Sequence, residues 1–295
     1  MAEQNLIKKT DLARVREVDF VERFKDSVVK LVEMLGITRK VPKTAGAVLK
    51  SYRATGTLQD GIVPEGDVIP LSKYETEEVP WGEITLKKWR KSTSAEAIVE
   101  RGYDQAVGMT TDKMLKDVQK GVRGTFVDFL ATGEGEAEGA DLQDVLAHAW
   151  GKLNVLFEDD DAQAVYFVNT MDVADYLGAA TVTLQTAFGL SYIKDFLGLG
   201  TVIVTGLIPQ GKVYATVADN IILYYIPVNG ADLDEAFNFT ADETGYIGIH
   251  ESPDYNNMTA SDTVVSGIAL MAERIDGIVV GTIGNGNDEP DPDNP

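Results

Sequence analysis

The feature that most constrains the fold of this sequence is one long apolar stripe in residues 93–130. The apolar side chains recur at helical spacing: Val99, Tyr103, Val107, Leu115, Val118, Val122, Phe126 and Phe129. This spacing predicts a single amphipathic helix. Thr93 and Glu96 have the spacing of an N-terminal capping box, and Gly133 is a candidate C-terminal stop. At ~1.5 Å per residue the helix would be more than about 50 Å long, which indicates a strut.

Four glycines interrupt the predicted helix, and each costs about 1 kcal/mol relative to alanine in a helix interior. They are Gly102, Gly108, Gly121 and Gly124. Four glycines within one helix indicate either that the helix bends or that another backbone approaches it closely, and the sequence leaves both interpretations open.

The segment before this helix, residues 46–92, is predicted to run outward and return. Residues 48–55 and 81–89 have β-type composition, whereas the glycines and prolines of residues 59–71 exclude continuous regular structure. Few of its residues could form a core, and an isolated two-stranded ribbon is marginal in water. We therefore expect the ribbon to be stabilised by another surface, that of a neighbouring subunit.

Residues 1–18 are polar and are predicted to form a mobile arm. Asp19 and Glu22 then have capping-box spacing, and an apolar stripe from Phe20 to Leu35 predicts a helix that Gly36 ends. Its apolar face predicts that the helix packs on another surface, either the rest of its own subunit or a neighbouring chain.

The later sequence predicts a mixed α+β unit. Residues 133–139 are interpreted as a flexible acidic link, and Asp141 as the cap of an amphipathic helix. A second helix and several strands follow, with the last strands returning to a sheet beside the long helix. The predicted segments are helix 170–177 and strands 164–168, 201–205, 212–217, 221–228, 244–251 and 264–280.

Composition and motifs exclude several functional classes. The chain of 295 residues has no cysteine and a formal charge of −21, which excludes thiolate chemistry and opposes general nucleic-acid affinity. The polar N-terminus leads into no apolar run, which excludes a secretory signal, and no segment approaches the length of a membrane span. His148 and His250 lack neighbours for a triad or metal site, and the acidic run 158–161 lacks calcium-loop spacing. We therefore predict no enzymatic activity, no cofactor and no metal.

The order of these elements resembles that of the major capsid proteins of tailed bacteriophages. The similarity rests on the helix–ribbon–long helix order, the ribbon tip at residues 64–73 and the late stretch 272–280. It implies the Hong Kong 97-type capsid fold, an α+β fold, over roughly residues 15–284. The implied regions are an N-terminal arm (1–45), an E-loop ribbon (46–93), a spine helix (94–133), an axial domain (134–240), return strands of the peripheral domain (241–284) and a disordered acidic tail (285–295).

The resemblance implies a structural protein that self-assembles as pentamers and hexamers into an icosahedral shell around viral DNA, without sequence-specific binding. Its implied partners are further copies, scaffolding protein and portal protein, and its implied location is the virion, assembled in the host bacterial cytoplasm. An early start of the arm helix suggests a separate scaffold or none. Two alternatives stay open: an encapsulin-like nanocompartment shell that encloses cargo enzymes, and an α+β hydrolase.

Charge matching between copies predicts the interface residues, because subunits at −21 repel one another unless opposite charges meet locally. The acidic ribbon tip is predicted to meet basic groups in the arm and at the ribbon base, where Lys87, Lys88, Arg90 and Lys91 lie close together in the sequence. Lys73 is either a cross-linking donor, as in some members of the resembled family, or a solvated lysine. The candidate interface residues are Glu65, Gly66, Asp67, Lys73, Lys87, Lys88, Arg90, Arg23 and Lys25.

Overall fold

The computed structural model describes residues 9–64, 66–157, 163–178, 184–187, 190–229 and 236–284. The helices in this part of the chain are α1 (Lys9–Leu35), α2 (Ala95–Arg101), α3 (Met109–Leu130), α4 (Leu142–Leu156) and α5 (Thr170–Leu177). The strands are β1 (Arg39–Pro42), β2 (Val48–Thr57), β3 (Lys73–Glu83), β4 (Lys87–Ser94), β5 (Gly135–Gly139), β6 (Ala164–Val168), β7 (Gln185–Ala187), β8 (Leu190–Ile193), β9 (Thr201–Val204), β10 (Lys212–Val217), β11 (Ile221–Tyr225), β12 (Thr240–Ala241), β13 (Ile247–Asp254), β14 (Thr259–Ser266), β15 (Ile268–Ala272) and β16 (Val279–Ile283).

A seven-stranded mixed sheet separates two apolar cores, and its strand order is β5-β16-β10-β6-β9-β8-β7. Successive side chains of β6 point to opposite faces of the sheet. Val165 and Phe167 belong to the core that contains residues of α1 and α3. Tyr166 and Val168 belong to the core beneath α4. Burial on both faces explains why every residue of β6 is buried and apolar.

The described residues also form three smaller sheets. A four-stranded sheet has the order β12-β13-β14-β4, and a three-stranded sheet has the order β1-β11-β15. The remaining sheet is the two-stranded ribbon β2–β3, which carries the tip residues 58–72. Of that tip, residues 58–64 and 66–72 form neither helix nor strand, so the prediction of an irregular tip is confirmed.

The returning limb of the ribbon differs from the predicted strand 81–89. The strand that pairs with β2 ends at Glu83, and β4 then joins a different sheet. Ile84 lies between them with 3% of its surface exposed, and it exchanges backbone hydrogen bonds with Gly46 and Ala47. Because this buried residue anchors the turn, the predicted strand spans a break between two sheets.

The predicted spine helix is broken rather than continuous. α2 ends at Gly102, whose φ of 79° is a left-handed conformation that interrupts the helix, and a π-helical turn (Asp104–Gly108) leads into α3. The stripe from Val107 to Phe129 is buried as predicted, but Val99 in α2 is 86% exposed. One conformation at Gly102 therefore turns α2 away from the line of α3.

Both predicted ends of the spine are also corrected. The N-cap is not Thr93 but Ser94, the last residue of β4, whose Oγ accepts a hydrogen bond from the Ala97 N–H. The helix ends at Leu130, and a Cβ on Gly133 would lie 2.5 Å from Ile278, so this glycine permits close contact with another segment.

The glycines within the spine have no tight neighbours in the subunit. A Cβ built on Gly108, Gly121 or Gly124 meets no atom of the described residues within 4 Å. Close approach within one subunit therefore does not explain them, and the bending hypothesis stays open.

The first helix begins at Lys9, ten residues before the predicted start, so residues 9–18 are helical rather than mobile. Asp19 is an interior residue that pairs with Arg23 one turn later, and it does not cap the helix. Phe20 and Phe24 are buried in the same core as α3, so the apolar face docks on its own body. Residues 1–8 lie outside the described part.

The acidic segment after the spine is a strand and not a flexible link. β5 pairs in parallel with β16, and β16 also pairs with β10. Ala137 points into the core while Glu136 and Glu138 face outward, which is the alternation of a half-buried strand. β16 therefore joins the seven-stranded sheet. The predicted strand 264–280 is thus divided: β15 packs against α3 as expected, whereas residues 279–280 belong to β16 and not to a sheet beside the spine. The acidic run 158–161 and the tail 285–295 lie outside the described residues.

Candidate subunit interface

The ribbon tip carries the most exposed cluster of large apolar side chains in the described part of the chain. Five of them expose between 73% and 93% of their surface: Leu58, Ile62, Val68, Ile69 and Leu71. Exposed apolar patches of this kind are typical of interaction sites. In the sequence, the glycines and prolines of residues 59–71 and the lack of core-forming residues in the ribbon had indicated a contact surface at the tip.

A tight turn shapes the tip around the predicted interface residues. The Asp67 N–H donates to the Pro64 carbonyl at 3.1 Å, and Gly66 has a φ of 91° at the third position of this turn. A type II turn requires such a conformation, which only glycine adopts freely. Asp67 is exposed, whereas Glu65 lies outside the described residues.

Lys73, at the start of β3, is directed to solvent and forms an ion pair with Glu75 on the same strand. Its side chain is 82% exposed. These contacts agree with the hypothesis of a solvated surface lysine, and a cross-linking role stays untested.

The root of the ribbon is fixed to the body, in contrast to its tip. Ser51 is fully buried and donates its Oγ–H to the Ala272 carbonyl at 2.7 Å. The Tyr52 N–H donates to the Glu273 carbonyl at 2.7 Å, and Arg53 pairs with Glu134 beside β5. The ribbon therefore leaves the body in a defined direction and presents its tip away from its own core.

The basic cluster predicted at the ribbon base is divided between the two faces of β4. The Lys87 ammonium donates to the Thr125 Oγ1 at 3.1 Å, on the face covered by the spine. Lys88 and Arg90 are exposed on the opposite face, where Arg90 donates to the Ser261 Oγ at 3.1 Å. Strand alternation separates these charges, so only Lys88 and Arg90 face outward together.

Lys91, on the inner face of β4, is part of a buried network within the subunit. Its ammonium lies 2.8 Å from the Asp262 carboxylate, whose side chain is 5% exposed. It also donates to the Val107 carbonyl and to the Thr110 hydroxyl. Lys91 therefore braces the four-stranded sheet against the π-helical turn of the spine.

The predicted interface residues of the arm have different surroundings. Arg23 forms ion pairs with Asp112 at 2.8 Å and Asp19 at 3.4 Å. The hydrogen bond to Asp112 is the main reason that the pKa of Arg23 is raised, with that to Asp19 contributing. Lys25 is half-buried. Arg23 thus links α1 to α3 within the subunit.

A polar cluster that sequence reasoning missed also fixes the arm to the body. Glu17, which is 6% exposed, accepts hydrogen bonds from the Glu251 N–H at 2.6 Å and the Thr240 Oγ1 at 2.5 Å. The Tyr103 hydroxyl donates to the Glu251 carboxylate at 2.5 Å, and burial, together with this bond, raises the pKa of Tyr103 to about 12. The phenol therefore stays a donor at neutral pH. An isolated glutamate in a polar helix gives no sequence signal for such a contact.

The described residues contain no cluster of three or more His, Asp or Glu side chains suited to a metal ion. His148 Nδ1 lies 2.6 Å from the Glu138 carbonyl, and His250 Nδ1 lies 3.9 Å from Glu17. Each histidine thus contacts a neighbouring element of the fold. Among the described helices, none combines the length and apolar character needed to cross a membrane.

Several solved structures are similar to this chain over most of its length. No protein-family model matches the chain, and no curated protein matches its sequence. A structure of Gordonia phage Cozz has a TM-score of 0.53 at 11% identity and covers 86% of both chains. The encapsulin of the holo-SrpI complex from Synechococcus elongatus has a TM-score of 0.50 at 10% identity and covers 88% of this chain and 89% of that one. The mature capsid of bacteriophage PhiM1 has a TM-score of 0.50 at 6% identity, with 85% and 86% covered.

At these identities the likeness concerns the fold alone. The predicted α+β fold of the Hong Kong 97 capsid type is confirmed, and it occurs in both phage capsids and encapsulins.

Proposed function

We propose that this chain is a shell-forming structural protein, the major capsid (head) protein of a tailed phage. In this proposal it assembles as pentamers and hexamers into an icosahedral shell that encloses viral DNA. The observation that carries the proposal is the ribbon β2–β3, which projects five exposed apolar side chains from a sheet of only two strands.

The energetics favour a second copy as the surface that covers the tip. Full burial of one large aliphatic side chain contributes about 1.5–3 kcal/mol, so the five tip residues together contribute up to roughly 7–15 kcal/mol before the cost of ordering. Repulsion between copies at a formal charge of −21 opposes this term. Assembly therefore needs both apolar burial and local matching of opposite charges.

Lys88 and Arg90 are the basic residues proposed to meet the acidic tip of a neighbouring subunit. Both are exposed on one face of β4, and Asp67 is exposed at the tip. Lys87, Arg23 and Lys25 are weaker candidates, because Lys87 and Lys25 are half-buried and Arg23 is paired with two carboxylates of its own subunit.

A second candidate function is the shell of an encapsulin-like nanocompartment. The holo-SrpI encapsulin matches the chain over 88% of its length with a TM-score close to that of the phage structure. The two proposals differ in what the shell encloses and in the neighbouring genes: terminase, portal and scaffold for a phage, a cargo enzyme for a nanocompartment. Location in the virion, assembly in the bacterial cytoplasm and contacts with scaffold and portal proteins follow from the first proposal.

The decisive experiment is electron microscopy of the purified full chain. Closed shells are expected from the unaltered protein. A variant with serine at Leu58, Ile62, Val68 and Ile69 is expected to stay a folded monomer, because it lacks the tip surface. The matched control carries serine at Val155 and Met171, which are 78% and 56% exposed on other elements. Absence of shells from the unaltered protein under all assembly conditions, or normal shells from the tip variant, would contradict the proposal.

A further inference from the structure

A line of basic side chains runs along one face of α3. Lys113, Lys116, Lys120 and Arg123 follow one another at steps of three, four and three residues, so consecutive members are neighbours on the helix surface. Lys113 forms an ion pair with Asp117. Among the described residues, no carboxylate lies within ion-pair distance of Lys116 or Lys120, and both are exposed. We call these four residues the basic stripe.

The basic stripe ends at a cavity of about 380 Å³ between α3 and the loop that follows β9. Lys120 and Arg123 line one side of the cavity. The other side carries the hydroxyl-bearing residues Thr170, Ser191 and Thr205. The arrangement therefore combines two cations with several possible hydrogen-bond donors in one concave site.

This combination fits a phosphate group better than a carboxylate or an apolar ligand. A phosphate presents several acceptor oxygens, which two cations and neighbouring hydroxyls can satisfy together. Burial lowers the pKa of Arg123, but a guanidinium keeps its charge in proteins at neutral pH. An apolar ligand would displace water from the Lys120 ammonium without replacing its hydrogen bonds.

The length of the basic stripe indicates an extended polyanion rather than a single ion. Lys116 and Arg123 are seven residues apart, or about 10 Å along the helix axis. Phosphates of one DNA strand follow at about 3.4 Å along its axis, so the stripe is long enough to face about three of them. Asp117 on the same helix offsets the charge of Lys113. At 0.1 M salt, charges beyond about 10 Å are largely screened, so more distant acidic residues do not cancel the attraction of Lys116, Lys120 and Arg123.

We propose that the basic stripe and its cavity bind the phosphodiester backbone of a nucleic acid, with one phosphate in the cavity and its neighbours along α3. This site goes beyond the proposed shell function, since a shell can form without contacting its contents. The competing occupant is the acidic strand β3 of a second copy.

The test measures binding of a short fluorescein-labelled DNA duplex to the full chain by anisotropy between 50 and 200 mM salt. Neutralising three phosphates predicts a slope of log K against log salt of about −2.7, or a loss of affinity of roughly 40-fold over this range. The variant K116Q/K120Q is expected to reduce the slope to about −0.9 and to weaken binding at least about tenfold at 50 mM salt. The control K30Q/K40Q removes the same charge from exposed positions on α1 and β1 and is expected to bind as the unaltered chain does.

The remaining measurements distinguish a free phosphate ion from nucleic acid, and nucleic acid from strand β3 of a second copy, as the group that binds the basic stripe. Titration with inorganic phosphate alone is expected to show weaker binding than the duplex. Phosphate binding without duplex binding would overturn the assignment to nucleic acid. Duplex binding that K116Q/K120Q leaves unchanged, or tighter binding of a peptide of residues 73–83 than of the duplex, would also overturn it. Thermal melting checks that each variant is folded, and these solvent-exposed positions are expected to tolerate Gln.

Discussion

Replacing Lys91 with methionine should destabilise the isolated subunit strongly, although sequence reasoning had grouped this residue with the assembly cations. The Lys91 ammonium lies 2.8 Å from the Asp262 carboxylate, and the two side chains are 19% and 5% exposed. Removal of one partner from a buried pair leaves the other charge desolvated, which costs about 3–5 kcal/mol. Thr111 still donates to Asp262 at 3.1 Å, so we expect a loss near the lower limit, about 3 kcal/mol.

The measurement is chemical denaturation of assembly-incompetent subunits, with the melting temperature as a second observable. A loss of about 3 kcal/mol corresponds to a fall of roughly 6–12 °C in a chain of this size. The double variant K91M/D262L replaces both charges with apolar groups and is expected to recover stability to within about 1 kcal/mol of the unaltered protein. The control K113M breaks an exposed pair, 71% and 55% accessible, and should cost at most about 1 kcal/mol.

Two results would refute this reasoning. If K91M changes the unfolding free energy by less than 1 kcal/mol, as an exposed pair would, the network is not desolvated. If the double variant is no more stable than K91M alone, the loss comes from altered packing and not from an unpaired carboxylate.

Three further predictions concern assembly and the spine. Deletion of residues 61–71 is expected to leave a cooperatively melting subunit that forms no particles in electron microscopy; normal shells would show that the tip is dispensable. Reversal of Lys88 and Arg90 to Glu is expected to block assembly and to change stability by no more than about 1 kcal/mol, and normal shells at low ionic strength would contradict it. Alanine at Gly121 and Gly124, where a Cβ meets open space within the subunit, should raise the unfolding free energy by up to about 2 kcal/mol. If the spine bends during shell expansion, that variant expands more slowly; unchanged stability and expansion rate would contradict both effects.

The parts of the fold that were predictable are those in which burial repeats with a regular period. The stripe from Val107 to Phe129 in α3 and the wholly apolar strand β6 are examples, since core packing requires each of their apolar side chains. The Asp141 cap of α4 was predictable because its carboxylate accepts a local hydrogen bond from the Asp144 N–H at 2.9 Å. These features depend on neighbours within a few residues or on one face of one element.

The sequence-based predictions were wrong where the backbone conformation of one residue, or a strand far away in the sequence, determines the local structure. One glycine, Gly102, divides the spine, and the composition of the helix does not indicate which of its four glycines does so. β5 consists of small and acidic residues, so its strand character arises from pairing with β16, more than 140 residues later. At the interface, sequence spacing grouped the cations of β4, but strand alternation directs Lys87 and Lys91 to one face and Lys88 and Arg90 to the other.

The position of β16 between β5 and β10 has a consequence for synthesis of the chain. The ribosome makes β16 after all the other strands of the seven-stranded sheet, yet β16 is the partner that connects β5 to that sheet. A nascent chain that lacks residues 279–283 therefore exposes an unpaired edge on β10 and cannot hold β5 in place. Folding of this sheet is therefore delayed until translation has passed these residues. Chains that terminate before them would keep the edge of β10 unpaired and β5 undocked.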